Sequence, residues 1–262
     1  MISSLIRKAK RAPWVLMGQK LTKKPSNSGA FVSDLFIWRC DQNWNTFFEL
    51  FDVAGLFGDD IIHHVNIVFF DDSGNKFFQQ TLELNGLVRQ VISISSLLLA
   101  LDNVPSSYGT FAVFHQKIPD EISELGSFIS ERGYVSYQYK DAPLRSYMHG
   151  NVDAIDDTMT NLGGTGLFSR RFNLQYVLEA NKDYEIVLVN PSSSKKKTEF
   201  IVMSFDNKIQ FQENIILKSR QALALPIKRL PNDGRLVIKS KIIMARPVVF
   251  TFNNHRVDVF HG

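Results

Sequence analysis

The sequence predicts an all-β protein: two tandem, related antiparallel β-sandwich copies behind a basic N-terminal arm. Three observations carry that prediction. Short runs rich in Phe, Val and Ile recur at roughly 8–14-residue spacing with Gly, Asp, Asn, Ser and Pro between them, the rhythm of hairpin-linked strands. Strand patterns never alternate with amphipathic helices, which argues against a parallel nucleotide-binding sheet. Features also repeat in fixed order. Ser33 and Glu49 bracket a strand pattern as Ser169 and Glu185 do, and Phe70-Asp71 and Phe205-Asp206 each close a β-rich run. Arg132 and Arg246 open the last strand pair of each half, and each half ends in His-Gly, at His149-Gly150 and His261-Gly262. The predicted boundaries are an arm over 1–29, a first copy over 30–150, a linker over 151–166 and a second copy over 167–262.

Residues 2–11 form an amphipathic helix pattern with Ile2, Leu5, Ile6 and Ala9 on one side, stopped by Pro13. Pro25 to Gly29 reads as a flexible joint. The first copy then predicts strands at Phe31–Trp38, Thr46–Phe51 and His64–Phe70. Asp71-Asp72-Ser73-Gly74-Asn75 is a strong turn signal, and Lys76–Leu82 returns from it. Val91–Ile94, Thr110–Phe114, Gly133–Tyr139 and Arg145–His149 continue the sheet. Asn151 to Gly166 has three aspartates, a Gly cluster and little to bury, which marks it as the linker. In the second copy the strands are Phe172–Leu178, Tyr184–Val189, Phe200–Phe205, Ile209–Leu217, Ala222–Ile227, Leu236–Ile243, Pro247–Phe252 and Val257–Phe260. Lys195-Lys196-Lys197 falls in a hairpin loop between two of these.

The formal charge of +4 is not spread evenly. Residues 1–30 hold Arg7, Lys8, Lys10, Arg11, Lys20, Lys23 and Lys24 and no acid, so the remaining body is slightly acidic. A nucleic-acid surface is disfavoured on that ground, while the 2–11 segment suits weak contact with an anionic membrane. Cys40 is the single cysteine, which excludes an intrachain disulfide and a cysteine metal cluster and points to a reducing compartment. No run of apolar residues is long enough to cross a bilayer, and the N-terminus has no secretory pattern, so the localisation expected is cytoplasmic.

Familiar catalytic signatures are missing. Gly163-Gly164-Thr165-Gly166 lacks the Lys-Ser/Thr pair of a phosphate loop, and no Gly-x-Ser-x-Gly or His-Glu-x-x-His occurs. His63 and His64 are adjacent in a strand start and leave opposite faces. The spacings of His149 with Asp153 and of His255 with Asp258 do not match an open iron site. Neither a metal nor a cofactor is expected. Glu49 and Glu185 occupy matching places in different copies and pair as acid and base only if the copies meet there.

The richest polar cluster is at the end of the first copy. Arg132, Tyr134, Tyr137, Tyr139, Arg145, His149 and Asn151 combine aromatic faces with guanidinium and amide donors, a mixture suited to sugar rings or anionic groups. The matching strand of the second copy, Val248–Phe252, is apolar, so a ligand site belongs to the first copy. The function expected is a non-catalytic binding or assembly module recognising a carbohydrate or a protein partner, compatible with surface-polysaccharide synthesis and with a homo-oligomer. The alternatives are a sugar-modifying enzyme using His149 with Arg132 and Arg145, and a self-assembling or virion structural protein.

Overall fold

A computed structural model describes residues 31–41, 43–52, 62–84, 89–116, 129–131, 133–140, 142–150, 152–160, 165–242, 246–253 and 256–261. The basic arm lies outside these, as do Arg132 and Asn151. The fold is all-β, with one short helix among the described residues.

The first half contains β1 (Phe31–Arg39), β2 (Trp44–Phe51), β3 (His64–Phe70), β4 (Lys76–Glu83), β5 (Arg89–Ser93), α1 (Ile94–Leu99), β6 (Tyr108–His115), β7 (Ile129–Glu131), β8 (Tyr134–Tyr139), β9 (Ser146–His149) and β10 (Val152–Asp156). The second contains β11 (Thr165–Leu178), β12 (Asp183–Val189), β13 (Lys196–Ser204), β14 (Ile209–Leu217), β15 (Ala222–Ile227), β16 (Gly234–Ile242), β17 (Val248–Asn253) and β18 (Arg256–His261). One sheet of the first half runs β10-β1-β6-β3-β4, with β7 added parallel to β1, and its partner runs β5-β2-β8-β9. The second half runs β11-β16-β13-β14 and β15-β12-β17-β18. With β7 and β10 set aside, both halves order their strands first-sixth-third-fourth in one sheet and fifth-second-seventh-eighth in the other.

Two details follow that shared order. In the β3–β4 hairpin the Asp71 amide donates to the Asn75 carbonyl and the Gly74 amide to the Asp71 carbonyl, both at 3.0 Å. In the β13–β14 hairpin the Ser204 amide donates to the Lys208 carbonyl and the Asn207 amide to the Ser204 carbonyl, both at 2.9 Å. Gly74 and Asn207 both take positive φ, at +83° and +65°, a region that Gly and Asn enter at least cost. Gly109 pairs with Trp38 on the first strand as Gly234 pairs with Leu178.

These registers correct the residue matches read from sequence. The turns align Asp71 with Ser204, so the Phe70-Asp71 and Phe205-Asp206 match is out by two residues. Nor can Glu49 match Glu185 while His149 matches His261. Glu49 shares a cross-sheet row with Tyr134 and His149, whereas the row through Glu185 and Phe250 ends at Val259.

Two other elements differ from expectation. The strand read as Val91–Ile94 stops at Ser93, whose hydroxyl accepts from the Ser96 amide at 3.2 Å and caps α1. Residues 151–166, expected to be a bare linker, carry β10, which extends the first sheet by pairing with β1.

Each half buries the space between its two sheets. In the first, Phe36 and Phe48 meet across the sheets with ring centres 4.8 Å apart, and Phe111 stacks on Phe36 and Phe69. In the second, Phe200, Val202, Leu236 and Ile238 face Ile186, Leu188 and Val249. The halves do not stay separate. Val187, Val189, Ala222, Val248 and Phe250, on the outer side of β15-β12-β17-β18, are buried in the same core as the first half. The Phe250 ring lies 5.0 Å from Trp44 and 5.1 Å from Tyr137. Burying each of the Val and Phe side chains contributes about 1.5–3 kcal/mol, which joins the halves into one packed body.

Candidate functional site

The β5-β2-β8-β9 sheet turns alternate side chains inward and outward. Inward go Trp44, Phe48, Leu50, Ile92, Val135, Tyr137 and Met148, all buried. Outward, two rows cross the four strands. One runs Val91, Glu49, Tyr134, His149; the other runs Ser93, Phe47, Ser136, Tyr147. At ordinary strand spacing each row is about 14 Å long and nearly flat.

This outer face keeps large side chains in solvent. Tyr134 is 46% exposed and Tyr147 52%, and Val91 is also exposed. The Arg145 guanidinium sits 3.5 Å above the centre of the Phe47 ring, a close cation–π contact. Arg89 donates to Glu49 at 2.6 Å, and that pairing satisfies an otherwise buried carboxylate. His149 Nδ1 lies 2.9 Å from the carbonyl oxygen of its neighbour Gly150. Between Phe47 and Tyr147, Ser136 is fully buried and its hydroxyl has no hydrogen-bond partner. Such an atom ordinarily finds one.

The structure divides the predicted ligand residues. Tyr134, Arg145 and His149 belong to the outer face. Tyr137 does not: it is 2% exposed, faces the core and donates its hydroxyl to the Ile37 carbonyl at 2.8 Å. Burial holds its phenol well above the usual range, only partly offset by Arg39. Tyr139 also turns inward, edge-on to Trp44 at 5.0 Å. Period-2 alternation within β8 forces this split. Tyr147, Phe47 and Ser136 complete the face and were not singled out from sequence. The signal for Tyr147 was present, since it lies two residues before His149 and so points the same way.

Among the described residues no group of three His, Cys, Asp or Glu is arranged to hold a metal ion. An open depression of about 560 Å³ lies at the far end of the second half, lined by Ala180, Phe205, Asp206, Lys208, Pro231 and Asp233 among others. There, Lys208 foremost and then Ser204 pull the Asp206 carboxyl down to about 2. No helix among the described residues is long and apolar enough to cross a membrane.

No family model matches this sequence, and no curated protein matches it either. Among solved structures the chain is similar to a beta-glucuronidase from glycoside hydrolase family 2, at 9% identity and a TM-score of 0.16, covering 94% of this chain and 25% of that one. It is also similar to a glycosyl hydrolase family 2 member from Bacteroides cellulosilyticus DSM 14838, at 9% identity and a TM-score of 0.15, covering 93% of this chain and 31% of that one. The chain thus spans a quarter to a third of those proteins, and likeness at this level decides neither substrate nor activity.

Proposed function

We propose that the chain is a non-catalytic binding and assembly module whose outer β5-β2-β8-β9 face docks a protein partner, and that its halves descend from one copied sandwich. One observation supports the docking reading above the rest. The face in the same place on the second half, outside β15-β12-β17-β18, is already covered by protein. Val187, Val248 and Phe250 there are buried against the first half, and Glu185 is held by Arg39. The first half presents the same kind of row, an acid beside a ring at Glu49 and Tyr134, with the Tyr134 ring 46% exposed. A sheet face flanked by exposed tyrosines and a seated arginine has the composition of an interface centre.

A carbohydrate ligand is the second reading, favoured by the exposed rings of Tyr134 and Tyr147 on the face that carries Arg145. Tyrosine faces cover the C–H patches of a sugar while their own hydroxyls and the guanidinium hold its oxygens.

Sedimentation of the full chain over a concentration series separates these readings. A second copy is the first partner to test. Self-association through this face gives a mass that rises above 29.9 kDa with concentration in the wild type and stays there in Tyr134→Ser/Tyr147→Ser. A wild-type mass fixed at the monomer value, together with a melting temperature raised by oligosaccharides, would select the sugar reading instead.

A further inference from the structure

The β11-β16-β13-β14 sheet has an outer face of its own, and its charge is one-sided. By register Arg171, Lys197, Arg235, Lys239 and Lys241 all project from it. Glu199 is the one carboxylate among the outward positions of β11, β13, β14 and β16 that the structure describes. It is already engaged, by Lys239 at 3.0 Å and Gln212 at 2.6 Å. Arg171, Lys197 and Lys241 are exposed, and no acidic side chain pairs with them among the described ion pairs. The crowding of cations reaches the strand's edge, where burial and then Lys241 press the Lys196 ammonium below its usual range.

Apolar groups share this face. Val237 and Ile201 lie buried beneath it, as expected where Arg and Lys stems spread over a sheet and hold their charges outward. Ile216, opposite Lys197, is 66% exposed, and Val177, opposite Arg235, is 41% exposed. A flat array of five cations with a single carboxylate among them, bordered by exposed aliphatic side chains, is complementary to a planar surface that is anionic outside and apolar beneath. Single-stranded nucleic acid calls instead for a series of exposed rings on which successive bases stack, and Phe168 of β11 is the one exposed ring that the structure describes on these four strands.

We propose that the outer face of β11-β16-β13-β14 docks on an anionic lipid bilayer. It does so through Arg171, Lys197, Arg235, Lys239 and Lys241, with Ile216 and Val177 reaching the headgroup boundary. This site is separate from the tyrosine face of the first half and from the basic arm, and stands without either.

Flotation of the full chain with vesicles tests it. The wild type binds phosphatidylcholine vesicles containing about 30% phosphatidylserine, fails to bind pure phosphatidylcholine, and releases as salt shortens the screening length. Each cation near such a surface is worth about fivefold in partitioning, so Arg171→Gln/Lys197→Gln/Lys241→Gln lowers binding about a hundredfold at unchanged melting temperature. Lys197→Arg/Lys241→Arg keeps it, which separates charge from side-chain identity. Equal binding by the wild type and the triple Gln variant overturns the proposal. So does loss of binding only in Arg7→Gln/Lys8→Gln/Lys10→Gln/Arg11→Gln, which would place the contact on the arm. Loss of RNA binding without loss of vesicle binding in the triple variant also overturns it.

Discussion

Arg39, at the end of β1, donates to Glu185 of β12 at 2.5 Å and to Asp41 at 2.7 Å, and its guanidinium lies over the rings of both Trp44 and Phe250, 4.9 and 4.8 Å from their centres. One side chain therefore links the two halves by charge and by ring contact. Its side chain is 7% exposed and that of Glu185 22%. Removing either partner strands a poorly solvated charge. Arg39→Ala is expected to cost about 3 kcal/mol and Glu185→Leu somewhat less, since without Glu185 the guanidinium still has Asp41 and two rings against it. Arg39→Met/Glu185→Leu together should cost less than the sum. Urea denaturation of the four proteins measures the cycle.

Tyr137 and Tyr134 are three residues apart in β8 and behave oppositely under substitution. Tyr137→Phe leaves the Ile37 carbonyl without its donor and costs about 1–2 kcal/mol; Tyr137→Ala opens a cavity against Trp44 and Phe250 and costs about 3–5 kcal/mol. Tyr134→Ala, with its ring half in solvent, stays within about 0.5 kcal/mol. Thermal melts of the three variants give the comparison directly.

The paired hairpins make an asymmetric prediction. Asn207→Gly is close to neutral, because glycine enters the positive-φ region freely. Gly74→Asn is not, although asparagine serves at the matching place. A Cβ at Gly74 would meet the Arg220 carbonyl carbon and the Ser219 carbonyl oxygen at 2.6 Å, where the hairpin abuts the second half. A loss of more than about 1 kcal/mol is expected for Gly74→Asn alone, read from denaturation midpoints.

High pH should unfold the protein through two buried phenols. Burial raises Tyr137, and burial pushes Tyr184 up to about 12, where its oxygen also accepts from the Glu179 amide at 2.6 Å. Both folded values lie above the unfolded one of about 10. The stability held by the neutral phenols is therefore whole below about pH 10 and drains as pH climbs toward 12, since the unfolded chain releases protons that the folded chain keeps. Urea midpoints should fall across that window. Tyr137→Phe should fall less steeply than the wild type.

The fold was readable where a local rule governs. Asp71 to Asn75 announced a turn because only a few residue types tolerate its geometry, and the β-rich rhythm exposed sixteen of the strands. β10 was hidden because its partner, β1, is far away in sequence and its aspartates resemble a loop. Tyr134, Arg145 and His149 were readable as a cluster, but Tyr137 and Tyr139 were grouped with them by composition when strand parity sends them inward. The likeness of the two halves lies in the order of elements and not in matched residues: Glu49 and Glu185, or His149 and His261, agree by letter, while the registers admit only one of those pairings. The basic face of the second half was invisible for a related reason. Its cations come from β11, β13 and β16, which meet only once the sheet forms.

An experimental structure of the full chain, with the strands of Phe31–His149 superimposed on those of Thr165–His261, is the most direct test. The expected result is eight strands lying over eight in the same order, Gly74 over Asn207 and Gly109 over Gly234, with Phe250 covered and Tyr134 open. A second half whose strands follow another order, or one standing apart from Trp44 and Arg39, would contradict it.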